Sequence, residues 1–329
     1  MGSVIKNKFN RVKFANPYKC EANWFIRLYK LSCYRDRAPL SYFSYAFSLF
    51  FDVFAFFVVA RGIKLEAKAQ IEGRRFTIRA TNSQFHSIYS YEKCYEPDVY
   101  SAIELFLPDK GGVFVDIGSN WGHHTFIAAI LKSATVYAFE PNKFVFHDLV
   151  GISDDLNCRE RVKAFNFGLG SSRSRQILSQ TRFESGTASV SKIFLSERVS
   201  RIHWPEKFMN IISFRKPIEQ KIDIYRLDDI IPAGIKIDLI KIDAEGFEYA
   251  CLRGMERLLE AGDATILFEL HTDANATFEK YYEFFGSLNY KLYEIVANVD
   301  REVCKFIPVV QLEPSTQYNL LATKCDFIT

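Results

Sequence analysis

The amino-acid sequence predicts a doubly wound, Rossmann-like α/β domain with a mostly parallel sheet, preceded by an N-terminal helix and a β-hairpin. Three observations carry that expectation. From residue 113 onward, short apolar runs alternate with amphipathic stretches, as strand–helix–strand units do. The first apolar run ends in a glycine turn that opens directly into a helix. The second ends in an acid, Glu140, 22 residues beyond Gly118 of that turn.

Composition narrows the class. Of 329 residues, 48% are hydrophobic and 25% charged, as in a globular chain. A net charge of +3, with no motif of a DNA or RNA reader, gives no expectation of a nucleic-acid partner. The seven cysteines (20, 33, 94, 158, 251, 304 and 325) never stand as Cys-x-x-Cys. That argues against a disulfide framework or a zinc site, and for thiols in a reducing, cytoplasmic setting.

Residues 1–60 form a first unit, a basic leader followed by an aromatic, apolar helix. Residues 1–37 hold nine Lys or Arg and two acids, whereas residues 38–60 hold no basic residue and one acid, Asp52. The 21 residues from Leu40 to Ala60 are long enough to cross a bilayer and lie too late for a cleaved signal peptide. Ser41, Ser44, Ser48 and Asp52 nevertheless draw one polar stripe down this helix. A charged Asp near mid-bilayer costs about 2.5–3.5 kcal/mol. The stripe favours packing on the chain's own domain or on a sister subunit of a homo-oligomer. A membrane-surface helix, aided by the basic leader, comes second, and a spanning helix third.

Residues 61–110 form the second unit. Ile63, Leu65, Ala67, Ala69 and Ile71 alternate, Glu72-Gly73 turns, and Phe76 and Ile78 resume, which predicts a hairpin. A helix follows from Asp98 to Leu107. Residues 111–329 form the main domain. Its expected strands are Val113–Ile117, Ala134–Phe139, Val162–Phe167, Ile222–Leu227, Leu239–Ile242, Thr265–Glu269, Lys291–Val296 and Tyr318–Thr323. Helices are expected over Thr125–Leu131, Phe144 to Leu156 and Phe278–Leu288. Residues 171–220 read as a polar, irregular insertion, too long for an ordinary connection.

The stretch from Val113 through Asp116, Gly118, Asn120 and Gly122 to Thr125 runs from strand through turn into helix. Such a turn lets a nucleoside-bearing ligand approach the backbone. A dinucleotide fingerprint needs three glycines, and here Asp116, Gly118 and Trp121 hold those places. A carboxylate at the first would repel a pyrophosphate. S-adenosyl-L-methionine has no phosphate and carries an ammonium and a sulfonium, so Asp116 suits it. Glu140 is placed to take both ribose hydroxyls, or else Glu140-Pro141 simply caps the next helix.

Together these motifs resemble the FkbM family of methyltransferases over roughly residues 92–325. The likeness runs from Tyr95-Glu96-Pro97 through the glycine turn and Ala138-Phe139-Glu140-Pro141-Asn142 to Thr187–Val190 in the insertion and Leu227–Ile230. It is most specific over residues 237–259, around Lys241-Ile242-Asp243-Ala244-Glu245-Gly246, and continues through Ile266 to His271. Ser119 and Trp121 depart from the family's usual residues but leave the glycines intact. The resemblance implies a class I methyltransferase with a seven-stranded sheet and S-adenosyl-L-methionine as cofactor. It implies a cofactor site at Glu96, Asp116, Gly118, Asn120, Gly122, Glu140, Asn142 and Asp243. It also implies methyl transfer to a hydroxyl of a glycan or small-molecule acceptor.

Asp243 and Glu269 end neighbouring expected strands and His271 follows two residues on, so acids converge where ligands gather in such sheets. One of Asp243, Glu269 and His271 would act as general base, or the three would hold a divalent metal such as magnesium that acidifies the hydroxyl. Glu245 and Glu248 fit either this cluster or a helix N-terminus. Two other functions compete: an NAD-dependent sugar oxidoreductase or epimerase, and a catalytically inactive scaffold.

Overall fold

A computed structural model describes residues 18–20, 66–79, 95–180, 218–272, 276–298, 303–310 and 318–325. The helix expected over 38–60, the Thr187–Val190 stretch and the rest of the insertion over 181–217 lie outside the described residues. Among the described residues, no helix is long and apolar enough to cross a membrane.

Strand β1 (Tyr18–Cys20) pairs antiparallel with β2 (Glu66–Ile71), which forms a hairpin with β3 (Arg74–Arg79). Glu72 and Gly73 turn at positive φ, the two-residue turn that matches strand twist. The hairpin is the one expected; β1 is not, because three residues inside a basic leader carry no periodicity.

Helix α1 (Pro97–Phe106), β4 (Val113–Ile117), α2 (His123–Leu131), β5 (Thr135–Phe139), α3 (Lys143–Asp155) and β6 (Val162–Phe165) follow, each close to its expected place. Beyond them, regular structure replaces part of the expected irregular insertion. Strands β7 (Gly168–Leu169), β8 (Ser174–Gln180) and β9 (Ile218–Tyr225) make a small sheet in the order β7-β9-β8. Only Leu178 among the large apolar residues of β8 is buried, so its ladder to β9 rather than its own pattern makes it a strand. The rest is α4 (Leu227–Ile230), β10 (Leu239–Ile242), α5 (Glu248–Arg253), α6 (Glu256–Ala261), β11 (Thr265–Leu270), α7 (Phe278–Ser287), β12 (Lys291–Asn298), β13 (Val303–Pro308) and β14 (Tyr318–Thr323).

The large sheet has the order β13-β12-β14-β11-β10-β4-β5-β6. Strands β6, β5, β4, β10 and β11 are parallel, and β14, β12 and β13 add antiparallel ladders. This is the expected doubly wound sheet with one more strand than seven, because Val303–Pro308 folds back along β12 as a hairpin. The order reverses between β4 and β10, and ligands bind at such a switch point, outside the carboxyl ends of the strands.

Strand alternation sorts the core into two faces. Phe114, Val136, Ala138, Leu239 and Leu267 pack with α1, α2, α3 and the hairpin. Val115, Ile117, Phe139, Ile240, Ile242 and Phe268 pack with α5, α6 and α7. By the same alternation, Asp116, Lys241, Asp243 and Glu269 all fall on the α1 face, at the carboxyl end of the sheet.

Candidate active site

The glycine turn is closed on itself. Gly118 and Ser119 both donate backbone N–H to the Phe139 carbonyl at 3.0 Å, and Gly122 donates to the Ser119 carbonyl at 2.9 Å. Asn120 N donates to Glu140 Oε2 at 2.9 Å, and Trp121 N to Asn120 Oδ1 at 2.8 Å. Every N–H from 118 to 122 is thus satisfied within the protein, and none is left to cradle a pyrophosphate. Gly118 itself, at φ 72°, is demanded by the fold, because an added Cβ would lie 1.7 Å from the Asp243 carbonyl oxygen.

Glu140 is buried and gripped from two sides, Oε2 by Asn120 N and Oε1 by Asn142 N at 2.8 Å. Each oxygen keeps a further lone-pair site, so the grip aims the carboxylate at the cleft without exhausting it. Burial pushes its pKa up to about 7, despite the two amides. Asn142 is fully buried, its Oδ1 caps α3 by accepting from Phe144 N at 3.1 Å, and it lines neither of the two clefts below.

Two clefts open at the carboxyl end of the sheet. The first is lined by Gly118, Asn120 and Glu140 and by Leu178, Ile224 and Phe247. Its apolar wall comes largely from the small sheet. The second is lined by Glu96, Lys241, Asp243, Glu269 and Asn319. Asp243 belongs to both.

Lys241 went unremarked in the sequence as a functional residue, because a lysine in the run LIKI reads as a solvated strand position. It is 5% exposed, and its Nζ donates to Asp243 Oδ2 at 3.0 Å. Asp116 stands directly beside it in the β4–β10 register. Burial opposes the lysine's charge, yet Asp243, Asp116 and Glu96 together hold its pKa above the ordinary value. Asp116 itself lines neither cleft: it is buried, Oδ2 accepts from Thr125 Oγ1 at 2.6 Å, and Oδ1 has no hydrogen-bond partner among the described residues. Its carboxylate thus stands beside Lys241, one strand over from the second cleft. Gly122 likewise lies under the Phe126 ring, outside both clefts.

Glu96 caps α1 from the left-handed region, at φ 46°. Burial raises its pKa to about 8, with Lys241 pulling the other way. Asn120 and Glu245 hold the same unusual backbone, at φ 51° and 50°. Three non-glycine residues at positive φ thus ring the clefts, a signal of local strain that composition and spacing do not carry. His123 and His124 are buried among Tyr18, Tyr95 and Trp121, and burial, then neighbouring positive charge, lowers both pKa values, His123 to about 3.

Behind Asp243 the loop is pinned by Glu248, whose Oε1 accepts from Ala244 N and Gly246 N, both at 3.0 Å. His271 Nδ1 lies 3.3 Å from that oxygen, and Nε2 lies 3.7 Å from Glu269 Oε1. Burial acts against the imidazolium, but Glu248, Glu269 and Glu245 raise its pKa to about 9. The neighbouring carboxylates thus favour the imidazolium form of His271. Asp243, Glu269 and His271 do not form the expected metal trio. Among the described residues no three such side chains are grouped to hold a metal ion, because Asp243 is turned to Lys241 and His271 to Glu248.

The fold is the Rossmann-like α/β fold of class I methyltransferases. The family model described as Methyltransferase FkbM domain matches residues 116–292, and the chain belongs to that family. A crystal structure of Methyltransferase FkbM from Methylobacillus flagellatus is 16% identical, with 66% of this chain and 44% of that one covered and a TM-score of 0.41. The chain thus spans less than half of that protein. A precorrin-6y C5,15-methyltransferase from Geobacter metallireducens is 14% identical, covering 69% and 87%, with a TM-score of 0.37. A SAM-dependent O-methyltransferase from Thermotoga maritima is 12% identical, covering 71% and 67%, with a TM-score of 0.36. No curated protein gives a significant match.

Proposed function

We propose that this chain is an S-adenosyl-L-methionine-dependent O-methyltransferase whose acceptor is a hydroxyl of a sugar, glycan or other small metabolite. The observation that carries the reading is that Asp243 lines both clefts, one beside Glu140 and the glycine turn and one lined with carboxylates. When bound, the cofactor supplies an electrophilic methyl on a sulfonium. The residues of the chain do the rest. Glu140, steadied by the Asn120 and Asn142 amides, accepts from the ribose hydroxyls. Glu96 offers a carboxylate to an ammonium. Asp243 keeps Oδ2 on Lys241, and Oδ1, which makes no hydrogen bond among the described residues, takes the proton of the acceptor hydroxyl. Glu269, on the wall of the second cleft, orients that acceptor.

Calorimetry tests the cofactor half: S-adenosylhomocysteine should bind and NAD should not. Glu140→Ala should weaken that binding tens-fold, as expected for about 1.5–3 kcal/mol of hydrogen bonding to a charged group. A screen of glycans and hydroxylated small molecules with radiolabelled methyl donor tests the acceptor half. Asp243→Asn should abolish any transfer found while circular dichroism stays unchanged. Binding of NAD in preference to S-adenosylhomocysteine would overturn the reading.

A further inference from the structure

A buried lysine in the middle of a central strand is costly, since an apolar residue there would pack without desolvating a charge. Lys241 is such a residue, 5% exposed between β4 and β11. Its charge faces Asp243 on its own strand, Asp116 on β4 and Glu96 at the head of α1. Asp243 and Glu96 are cleft residues, so the lysine acts on the same cavity as the carboxylates it balances. We infer that Lys241 sets this site's discrimination between the charged methyl donor and its neutral thioether product.

This role rests on the cofactor reading above and follows from a difference in charge. Donor and product share adenosine, ribose and amino-acid groups, and differ by one methyl and one positive charge on sulfur. Contacts of shape and hydrogen bonding act on both alike. A buried charge beside the cleft acts on the two differently, and in a low-dielectric setting that difference is several times larger than in water. The carboxylates favour the sulfonium. Lys241 offsets them, so the donor is not held so tightly that methyl transfer, which removes the charge, becomes uphill. The field of Lys241 also reaches His123 and His124 at the start of α2, where it adds to burial in lowering both pKa values.

Calorimetry on the full chain with S-adenosylmethionine and S-adenosylhomocysteine, at fixed pH and ionic strength, reads this directly. Lys241→Met should shift the ratio of the two affinities toward the sulfonium by roughly tenfold. Asp116→Asn, which removes a carboxylate behind the lysine without touching either cleft, should shift it the other way by roughly threefold. A purely structural role would change both affinities by one common factor, and that result would overturn the inference. If Lys241→Met does not fold, the direction of the Asp116→Asn shift decides alone. Wild-type protein that binds neither ligand overturns the cofactor reading and this inference together. Binding with an unmoved ratio overturns this inference only.

Discussion

Gly118 and Asp243 meet backbone to backbone across the switch point: a Cβ on the glycine would lie 1.7 Å from the Asp243 carbonyl oxygen and 2.8 Å from its carbonyl carbon. The end of β4 and the end of β10 are in contact at the place where the cofactor turn and the candidate base must be held together. Gly118→Ala would have to adopt φ near +72° and push that strand end away. Left-handed strain and overpacking together should cost about 3 kcal/mol or more. Urea unfolding should show a lower midpoint with an unchanged slope, and a loss under 1 kcal/mol would contradict this account of the turn.

Asn142 separates a capping role from a cofactor role. Asn142→Ala removes the acceptor for Phe144 N and for Gln220 Nε2. It should cost about 1 kcal/mol of stability as a lost helix cap. The Asn142 N–H that steadies Glu140 is backbone and survives the substitution. Affinity for S-adenosylhomocysteine should therefore stay within threefold. A tens-fold loss by calorimetry would return Asn142 to the cofactor site.

The acids of the clefts give the ligand-free protein a definite pH dependence. Glu140 is raised from 4.5 to about 7 and Glu96 from 4.5 to about 8, in both cases chiefly by burial. His271 is raised from 6.5 to about 9: burial opposes its charge, and Glu248, Glu269 and Glu245 overcome it. A group with a raised folded-state pKa stabilises the fold below its unfolded pKa, and that contribution disappears as pH climbs through the folded value. The Glu140 contribution declines between about pH 4.5 and 7, that of Glu96 between about 4.5 and 8 and that of His271 between about 6.5 and 9, so at least one of them is being lost throughout pH 6.5–9. Without ligand, the melting temperature should fall across that window at constant ionic strength. A rising melting temperature there would show that the acids are ionised in the folded state.

His271 should matter more to stability than to proton transfer. His271→Gln keeps polarity but removes the cation that faces Glu248 and Glu269. At neutral pH the loss should be about 1–3 kcal/mol, the scale for a charge-assisted pair. It should shrink above pH 9, where the wild-type imidazole has itself lost the proton. Urea midpoints of both proteins at pH 7 and pH 9.5 test this, and an equal loss at both would remove charge from the explanation.

Much of this protein was legible in one dimension. Short apolar runs at Val113–Ile117, Leu239–Ile242 and Tyr318–Thr323 are strands at those residues. The places of Glu140 and Asp243 at strand ends followed from the same runs, because a strand's end and its neighbouring turn are local properties. Register and face are not local. That Asp116 lies beside Lys241 depends on how β4 pairs with β10, and no pattern within either strand records it. For that reason the sequence carries no sign that Asp116 backs onto Lys241 rather than lining a cleft. The positive φ values of Glu96, Asn120 and Glu245 were equally silent, since only the surrounding packing holds a non-glycine residue there. The sequence by itself determined the order of strands, the turn and the acids at their ends, through short-range periodicity and glycine placement. The tertiary structure alone decided which of those acids reach the clefts and which stand behind a buried lysine, because that choice belongs to pairing between strands far apart in the chain.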